Sequence, residues 1–456
     1  MPLADHPSTV LPVLPSQAAF LHEFFPAMIN PHYWNLCGIF RLSQRFDTWL
    51  VRAAVAQVWE HHQALRVRFR LTEGEWWQEI RGRSEPPPFR RIDLSRCPED
   101  DQPATVGRIC AEIQRTLHVH QGPLAGFVYF DLGVGQPPRL FVVVHHLVAD
   151  ALSLSTVVGD LENVLWALAE GRAPRLSQGA PYDECVRALR DYAASAEVTA
   201  EIPHWLGPRW ARVSELPTDR TRYTSETVGG TESVNLGFDR GRSEALLRKL
   251  PAATGVDLHT TVLAAIGEAA GEWLGGEVGV AVVHHGRDLT KADGTPVFPN
   301  GVRHTMGWFS FGGFVALPPR EGGDVVEHLR RTADSLTAMP NNGVGAHLLR
   351  WCAPNGPHAE ALAAVSDRLG LIFNNMGGLG QPNQGGRVLT MAGDPMKHEP
   401  DVLQPRPQVY IRLVRDDGVL SMSWFLDGVR HEPTAVTRLV SRVDEVLTSY
   451  LRQLVP

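Results

Sequence analysis

The order of apolar and polar residues along this chain sets out a plan of helices and strands before any single residue needs interpreting. Leu50, Val51, Ala54, Val55 and Val58 fall on one helical stripe behind Asp47, which predicts an amphipathic helix with the acid as its cap. In the stretch that follows, Leu65, Val67 and Phe69 alternate with arginines, the period of a half-buried strand. Residues 139–145 are almost continuously apolar, as expected of a strand covered on both faces. Ser155 is expected to open a second helix, with Val157, Leu161, Val164, Leu165 and Leu168 on its buried stripe and Gly171 as its stop.

"GRAPRLSQGAP", residues 171–181, breaks the pattern and is the best linker candidate. A second helix-and-strand series follows it. Asp257 is placed to cap "LHTTVLAAIGEAAGEWL", and "EVGVAVVHHGRD" reads as a buried strand running into a histidine pair, His284 and His285. "QVYIRLVRDDGVLSMSWFL" reads as a hairpin turning at Asp417-Gly418, and an amphipathic helix is expected over roughly 433–452. The same helix-plus-sheet plan thus appears twice. It predicts an α/β (α+β) protein of two lobes, residues 1–175 and 176–456.

Composition narrows the function classes. With 43% hydrophobic and 20% charged residues, the 456-residue chain is that of an ordinary globular protein with a large core. A net charge of −7 and scattered arginines argue against nucleic-acid binding. The five cysteines, at 37, 97, 110, 185 and 352, are odd in number and widely spaced, unlike a disulfide framework or a zinc knuckle. No stretch is long and apolar enough to span a bilayer, and the start of the chain lacks the pattern of a signal peptide. A cytoplasmic protein is expected, with no membrane partner.

The chemistry concentrates in "VVVHHLVADALSLS", residues 142–155. No P-loop, G-x-G-x-x-G, H-E-x-x-H or G-x-S-x-G accompanies it. Successive residues of a strand face opposite ways, so His145 and His146 make a poor metal pair, and no metal is expected. The same alternation lets one histidine be held by packing while its neighbour faces a cavity, where an imidazole suits proton transfer at neutral pH. Two ordinary core histidines are the competing reading. Asp150, beyond the strand end, is suited to pairing with an arginine and locking the turn.

"HHLVADA" resembles H-H-x-x-x-D-G, the signature of the condensation-domain superfamily of nonribosomal peptide synthesis. "HHQALRVRF" (61–69), "HHGRD" (284–288), "HTMGWFSFGGFVAL" (304–317), "PNNGVGAHLLRW" (340–351) and "LIFNNMGGLGQ" (371–381) resemble further motifs of that superfamily, in order, the last two in the form of its epimerization branch. The resemblance implies two chloramphenicol-acetyltransferase-like lobes in a V-shaped pseudo-dimer, with a tunnel between them and the histidine signature at its midpoint. His146 would be the base or positioning group. His145, Asp150 and Ala151 would be structural, with Asp150 paired to Arg287. Trp308, Phe309, Asn374 and Asn375 would line the tunnel, with "GWF" and "FNN" crossing back from the second lobe and Asn374 hydrogen-bonding across it. His61 and His62 are read as structural.

Two departures from the family pattern matter. Epimerization domains open the fifth motif with a glutamate, E-G-H-G-R, where this chain has Val283, His284, His285, Gly286 and Arg287. Valine carries no proton, which favours condensation over epimerization. The signature glycine is Ala151, which puts a positive φ there in doubt. With no adenylation or carrier module in the chain, the resemblance implies a free-standing enzyme, similar to the stand-alone condensation enzymes of enediyne biosynthesis. Its donor would be an aminoacyl or acyl group on the phosphopantetheine arm of a separate carrier protein, and its acceptor a small-molecule alcohol or amine. It would bind no cofactor of its own. Epimerization of a carrier-bound residue and an inactive recruitment module are the alternatives.

Overall fold

The computed structural model of the protein describes residues 8–28, 30–217, 231–298, 300–352, 356–377, 388–392, 409–427 and 431–455. In the first half the strands are β1 (Thr9–Pro12), β2 (Asn35–Leu42), β3 (Val67–Thr72), β4 (Glu75–Ile80), β5 (Phe89–Asp93), β6 (Ala125–Asp131) and β7 (Arg139–His145). In the second they are β8 (Val213–Ser214), β9 (Thr231–Gly237), β10 (Glu277–His284), β11 (Phe311–Leu317), β12 (Leu371–Gly377), β13 (Leu389–Met391), β14 (Val409–Asp416) and β15 (Val419–Asp427). The first lobe is built on a sheet of order β13-β2-β7-β6-β5, with the small sheet β1-β4-β3 beside it. The second is built on β11-β10-β12-β14-β15-β9, with β8 pairing to β10.

Strand β7 shows why residues 139–145 are apolar throughout. It lies between β2 and β6, antiparallel to both, so its two edges are paired. Val142 and Val144 point into the main first-lobe core beneath helices Thr48–His61 and Ala151–Ala169. Phe141 and Val143 point the other way, into a smaller layer closed by the helix Gln102–Gln114. The second lobe packs helices Leu258–Leu274 and Pro433–Leu454 on its sheet in the same manner.

Several sequence expectations meet the structure closely. Asp257 accepts a hydrogen bond from the Thr260 N–H at 2.8 Å and caps the helix Leu258–Leu274. Asp417 and Gly418 both take positive φ, 44° and 77°, as a two-residue hairpin turn with right-handed twist requires. Asp47 stands at the cap position of Thr48–His61, but its side chain makes no capping bond. The helix expected from Ser155 starts at Ala151 instead, because Asp150 is its cap and the Ser155 hydroxyl donates back to Ala151 O at 3.2 Å.

The chain beyond residue 175 does not stay in one lobe. Residues 180–198, 289–311 and 344–352 contribute to the first-lobe core, and β13 pairs with β2 at the edge of the first sheet. The expected linker is tied down: the Ser177 N–H and hydroxyl donate to Asp160 Oδ1 at 2.9 and 2.8 Å. His62 Nε2 lies 2.9 Å from the other oxygen of Asp160, and His61 Nε2 lies 2.9 Å from Ser177 O. Burial would raise the Asp160 carboxyl, but these bonds outweigh it and hold the group below its ordinary range. Asp160→Ala strands the buried His62 ring and the Ser177 N–H, so we expect a loss of roughly 1–3 kcal/mol in denaturant unfolding. A change below about 0.5 kcal/mol would show that the linker is not pinned there.

Candidate active site

At the end of β7 the two histidines take different environments. His145 is the last strand residue, paired with Asn35, and is fully buried. Its Nδ1 accepts from the Leu147 N–H at 3.1 Å, which leaves the proton on Nε2, 3.0 Å from Pro31 O. Burial pushes its pKa down to about 3, so the ring is neutral and both nitrogens are committed. His146 has already left the strand and opens a 3-10 turn, His146–Val148. The two rings diverge because of that turn, not because of the strand alternation expected from sequence. The turn is held by the His146 N–H, which donates to Trp34 O at 2.8 Å. It is also held by Leu147 O, which accepts from Gln17 Nε2 at 2.7 Å.

The His146 ring lies 4.4 Å, centroid to centroid, from Trp308 and 6.1 Å from Trp34. It keeps part of its surface accessible, while Nδ1 is buried and has no hydrogen-bond partner on another described residue. Burial lowers its pKa from the ordinary 6.5, and a hydrogen bond to its own backbone and the negative charge of Asp150 oppose the shift without cancelling it. The result is a neutral imidazole with neither ring nitrogen hydrogen-bonded to another described residue's side chain.

Four residues on, Asp150 gathers the two lobes. Its Oδ1 accepts from the Ser153 N–H at 2.9 Å, which caps the helix Ala151–Ala169. Arg287 donates from Nη1 to Oδ2 at 2.5 Å and from Nη2 to Oδ1 at 3.0 Å, a bidentate pair with side chains 4% and 5% exposed for Arg287 and Asp150. The Phe309 N–H donates to Oδ2 at 3.1 Å. Burial alone would raise this carboxyl, but the Arg287 charge and these bonds hold it below its ordinary value. The Ser153 hydroxyl oxygen lies 3.0 Å from Arg287 Nη2 and accepts from the Gly307 N–H at 3.0 Å, while its proton reaches Gly307 O at 2.8 Å.

Arg287 sits just beyond β10, on a turn whose Gly286 has φ +68°, where a Cβ would fall 2.1 Å from Phe309 O. Its guanidinium lies 4.9 Å above the Phe309 ring. Ala151 is the first residue of the capped helix and has no positive φ, so alanine fits in place of the signature glycine. Its N–H belongs to the first turn, where no helical carbonyl reaches it.

Of the expected tunnel residues, Trp308 and Phe309 join this group, on a segment packed against the first-lobe core. Asn374 and Asn375 do not. They lie within the second sheet, on opposite faces of β12, instead of crossing back. Asn374 Nδ2 donates to Tyr410 OH at 2.7 Å in the neighbouring strand, so its expected bond across the lobes is not formed. Asn375 turns towards His259, with 3.5 Å between Nδ2 and Nδ1. Residues 378–381 of the same motif lie outside the described residues. Sequence reasoning missed Ser153, which the D-x-x-S spacing of a helix cap could have signalled, and Trp34, which carries no local signal.

One group among the described residues, His61, His62 and Asp160, brings three possible metal-ligand atoms within 4.8 Å of one another. All three are engaged in the hydrogen bonds that pin the linker.

The condensation-domain profile matches residues 8–356. The chain belongs to the condensation-domain family. It is 30% identical over 373 residues to one polypeptide of the linear gramicidin synthase of Brevibacillus parabrevis, covering 81% of this chain and 7% of that protein. To another polypeptide of the same synthase it is 31% identical over 376 residues, covering 80% and 5%. It therefore spans less than a tenth of the length of those two proteins. Among solved structures, the epimerization domain from the third module of tyrocidine synthetase B superposes with a TM-score of 0.83 at 22% identity, over 99% of both chains. The SgcC5 protein of Streptomyces globisporus gives 0.74 at 20% identity, over 97% of this chain and 99% of that one. These likenesses establish the two-lobed, chloramphenicol-acetyltransferase-like fold.

Within this condensation domain, removing either partner of the clasp leaves the other charge buried. Asp150→Ala and Arg287→Ala should each cost roughly 3–5 kcal/mol, and the double variant less than their sum. Simple additivity in denaturant titrations would mean no coupling. The sign of the acid effect follows from the lowered Asp150 pKa. The clasp's contribution is fully present above the ordinary carboxyl value of 3.8 and is lost as pH falls through the lower folded value.

Proposed function

We propose that the protein transfers an aminoacyl or acyl group from a carrier-protein phosphopantetheine thioester to a small-molecule alcohol or amine, forming an ester or amide. The carrying observation is the neutral, partly accessible His146 ring beside a signature aspartate fully engaged in structure. In this reading the acceptor O–H or N–H attacks the thioester carbonyl as the imidazole takes its proton. The tetrahedral intermediate then expels the thiolate, which recovers the proton from the imidazolium. The new C–O or C–N bond replaces the C–S bond, and no other reactant is consumed.

Each local feature supports a part of that sequence. A pKa below 6.5 keeps His146 unprotonated, and so able to accept a proton, at neutral pH. His145 cannot serve, since both its nitrogens are bonded. The Ala151 N–H, at the positive end of a helix, is suited to the developing oxyanion. Holding acceptor and thioester in line supplies on the order of 7–11 kcal/mol of the barrier. His146→Ala should lower turnover by roughly 10²–10⁴-fold with melting temperature unchanged, in an assay for free carrier thiol and the new ester or amide. EDTA should leave the rate alone. Loss of activity in EDTA and its return with zinc would overturn the scheme.

The proton-acceptor role also fixes a pH dependence. The acid limb of the pH–rate profile should lie below pH 6.5, because His146 protonates only below its ordinary value. Trp308→Ala admits water to the ring and should move that limb upward. An acid limb above 6.5 in the intact protein would exclude a desolvated His146 as base.

Epimerization of a carrier-bound residue is the second reading, favoured by the superposition on the tyrocidine epimerization domain. Against it stands Val283 where that branch has glutamate; the residue pairs with Gly312 in the β10–β11 ladder and has no proton to exchange. Incubation of the loaded carrier in deuterated buffer separates the two. Transfer without solvent exchange predicts no deuterium at the α carbon, and rapid incorporation there would establish the epimerase instead.

A further inference from the structure

The histidine after Val283 is not used in the scheme above. His284 is the last residue of β10, and the parallel register Val282↔Phe373 puts His284 and Asn375 on the same face, at the same strand ends. The His284 ring stacks 5.7 Å from Phe311, and its Nε2 is buried without a hydrogen-bond partner among the described residues. His259, at the start of the helix Leu258–Leu274, completes the group, its ring 5.3 Å from Phe373. Since the Asn375 amide nitrogen can only donate, His259 Nδ1 accepts and its proton sits on Nε2. Burial lowers both imidazoles, and the nearby His259 helps take His284 down to about 4, so both are neutral at physiological pH.

An orphaned, buried ring nitrogen calls for an explanation, and here the surroundings suggest one. The segment from Trp308 to Phe311 touches His146 at one end and His284 at the other. Three residues of extended chain separate the two ends, no more than roughly 10 Å. A substrate long enough to follow that segment from His146 would meet His284 with its far end. The strand ends of an α/β sheet are also where ligands are held in general.

We propose that His284 and His259, with Asn375, form a second polar subsite that receives a hydroxyl or amide on the side chain of the carrier-bound acyl group. A neutral imidazole offers one N–H and one lone pair, which match a group that both donates and accepts. A carboxylate would call for a cation, and Arg287 is already spent on Asp150. The acyl group is the natural occupant because transfer and epimerization both require it, whereas only transfer requires an acceptor. The proposal rests on the carrier-bound substrate of the functional reading.

The test uses the full chain and unreactive pantetheine amides in near-isosteric pairs: tyrosyl with phenylalanyl, threonyl with valyl, and glutaminyl with methionyl. Calorimetric titration should show the polar member of at least one pair binding tenfold tighter or more. In His284→Phe and in His259→Phe, each checked for an unchanged melting temperature, the two members should bind alike. A preference that survives both substitutions, or binding with no preference in any pair, overturns the subsite alone. Failure of every analogue to bind overturns the subsite together with the reading on which it rests. If, with the matching carrier-bound thioesters as substrates, His284→Phe instead lowers turnover equally for both side chains of a pair at unchanged KM, the ring acts on the reacting atoms and the subsite assignment falls.

Discussion

A carboxylate buried between two halves of a protein is tolerable only if nearly every lone pair is occupied, and Asp150 meets that condition. It accepts from a helix N-terminus, from a backbone amide of the crossing segment and from both arms of a guanidinium. The three partners come from different parts of the chain, so satisfying the charge fixes three elements at once. Because the pair is desolvated, its geometry is specified far more sharply than that of a surface ion pair. The segment carrying Trp308 is thereby set against His146.

Around that clasp the protein separates structural from available polar groups. Gln17 and Tyr182 spend their hydrogen bonds linking the turn after β7, the small sheet and the helix Tyr182–Ala193, while His145 is taken up by Pro31 O and the Leu147 N–H, and Ser153 by Gly307. His146 Nδ1 and His284 Nε2 are buried with no hydrogen-bond partner among the other described residues. Burying an imidazole lowers its pKa whether or not it is bonded, so the same desolvation keeps both His145 and His146 unprotonated. What distinguishes them chemically is the partner, not the pKa.

The lobes depend on one another for their cores. The segment around Val297–Phe311 packs into the first-lobe core, and β13 extends the first sheet, while β12 and β14 on either side of that excursion belong to the second. Phe309 is 4% exposed and Trp308 packs on Phe20, so the residues flanking the site are also part of the packing that joins the halves. Changes at these positions will therefore alter stability and chemistry together.

The elements were readable from sequence because their causes are local. The β7 run, the Asp257 cap and the Asp417-Gly418 turn each depend on residues within one or two helical turns or a strand's length, where periodicity and capping act. The signature residues and the Arg287 pairing were legible only through the ordered motifs, since nothing local in the sequence joins positions 137 apart. The Asp150 cap, which starts its helix at Ala151, is local in the same way; tertiary structure alone decided that the same carboxylate also takes the Phe309 N–H. It also decided that Asn374 spends its amide on Tyr410 and that His284 and His259 meet at one sheet end. Those outcomes depend on which surfaces remain facing one another after two sheets and their helices have packed, and a pattern of apolar and polar positions does not contain that information.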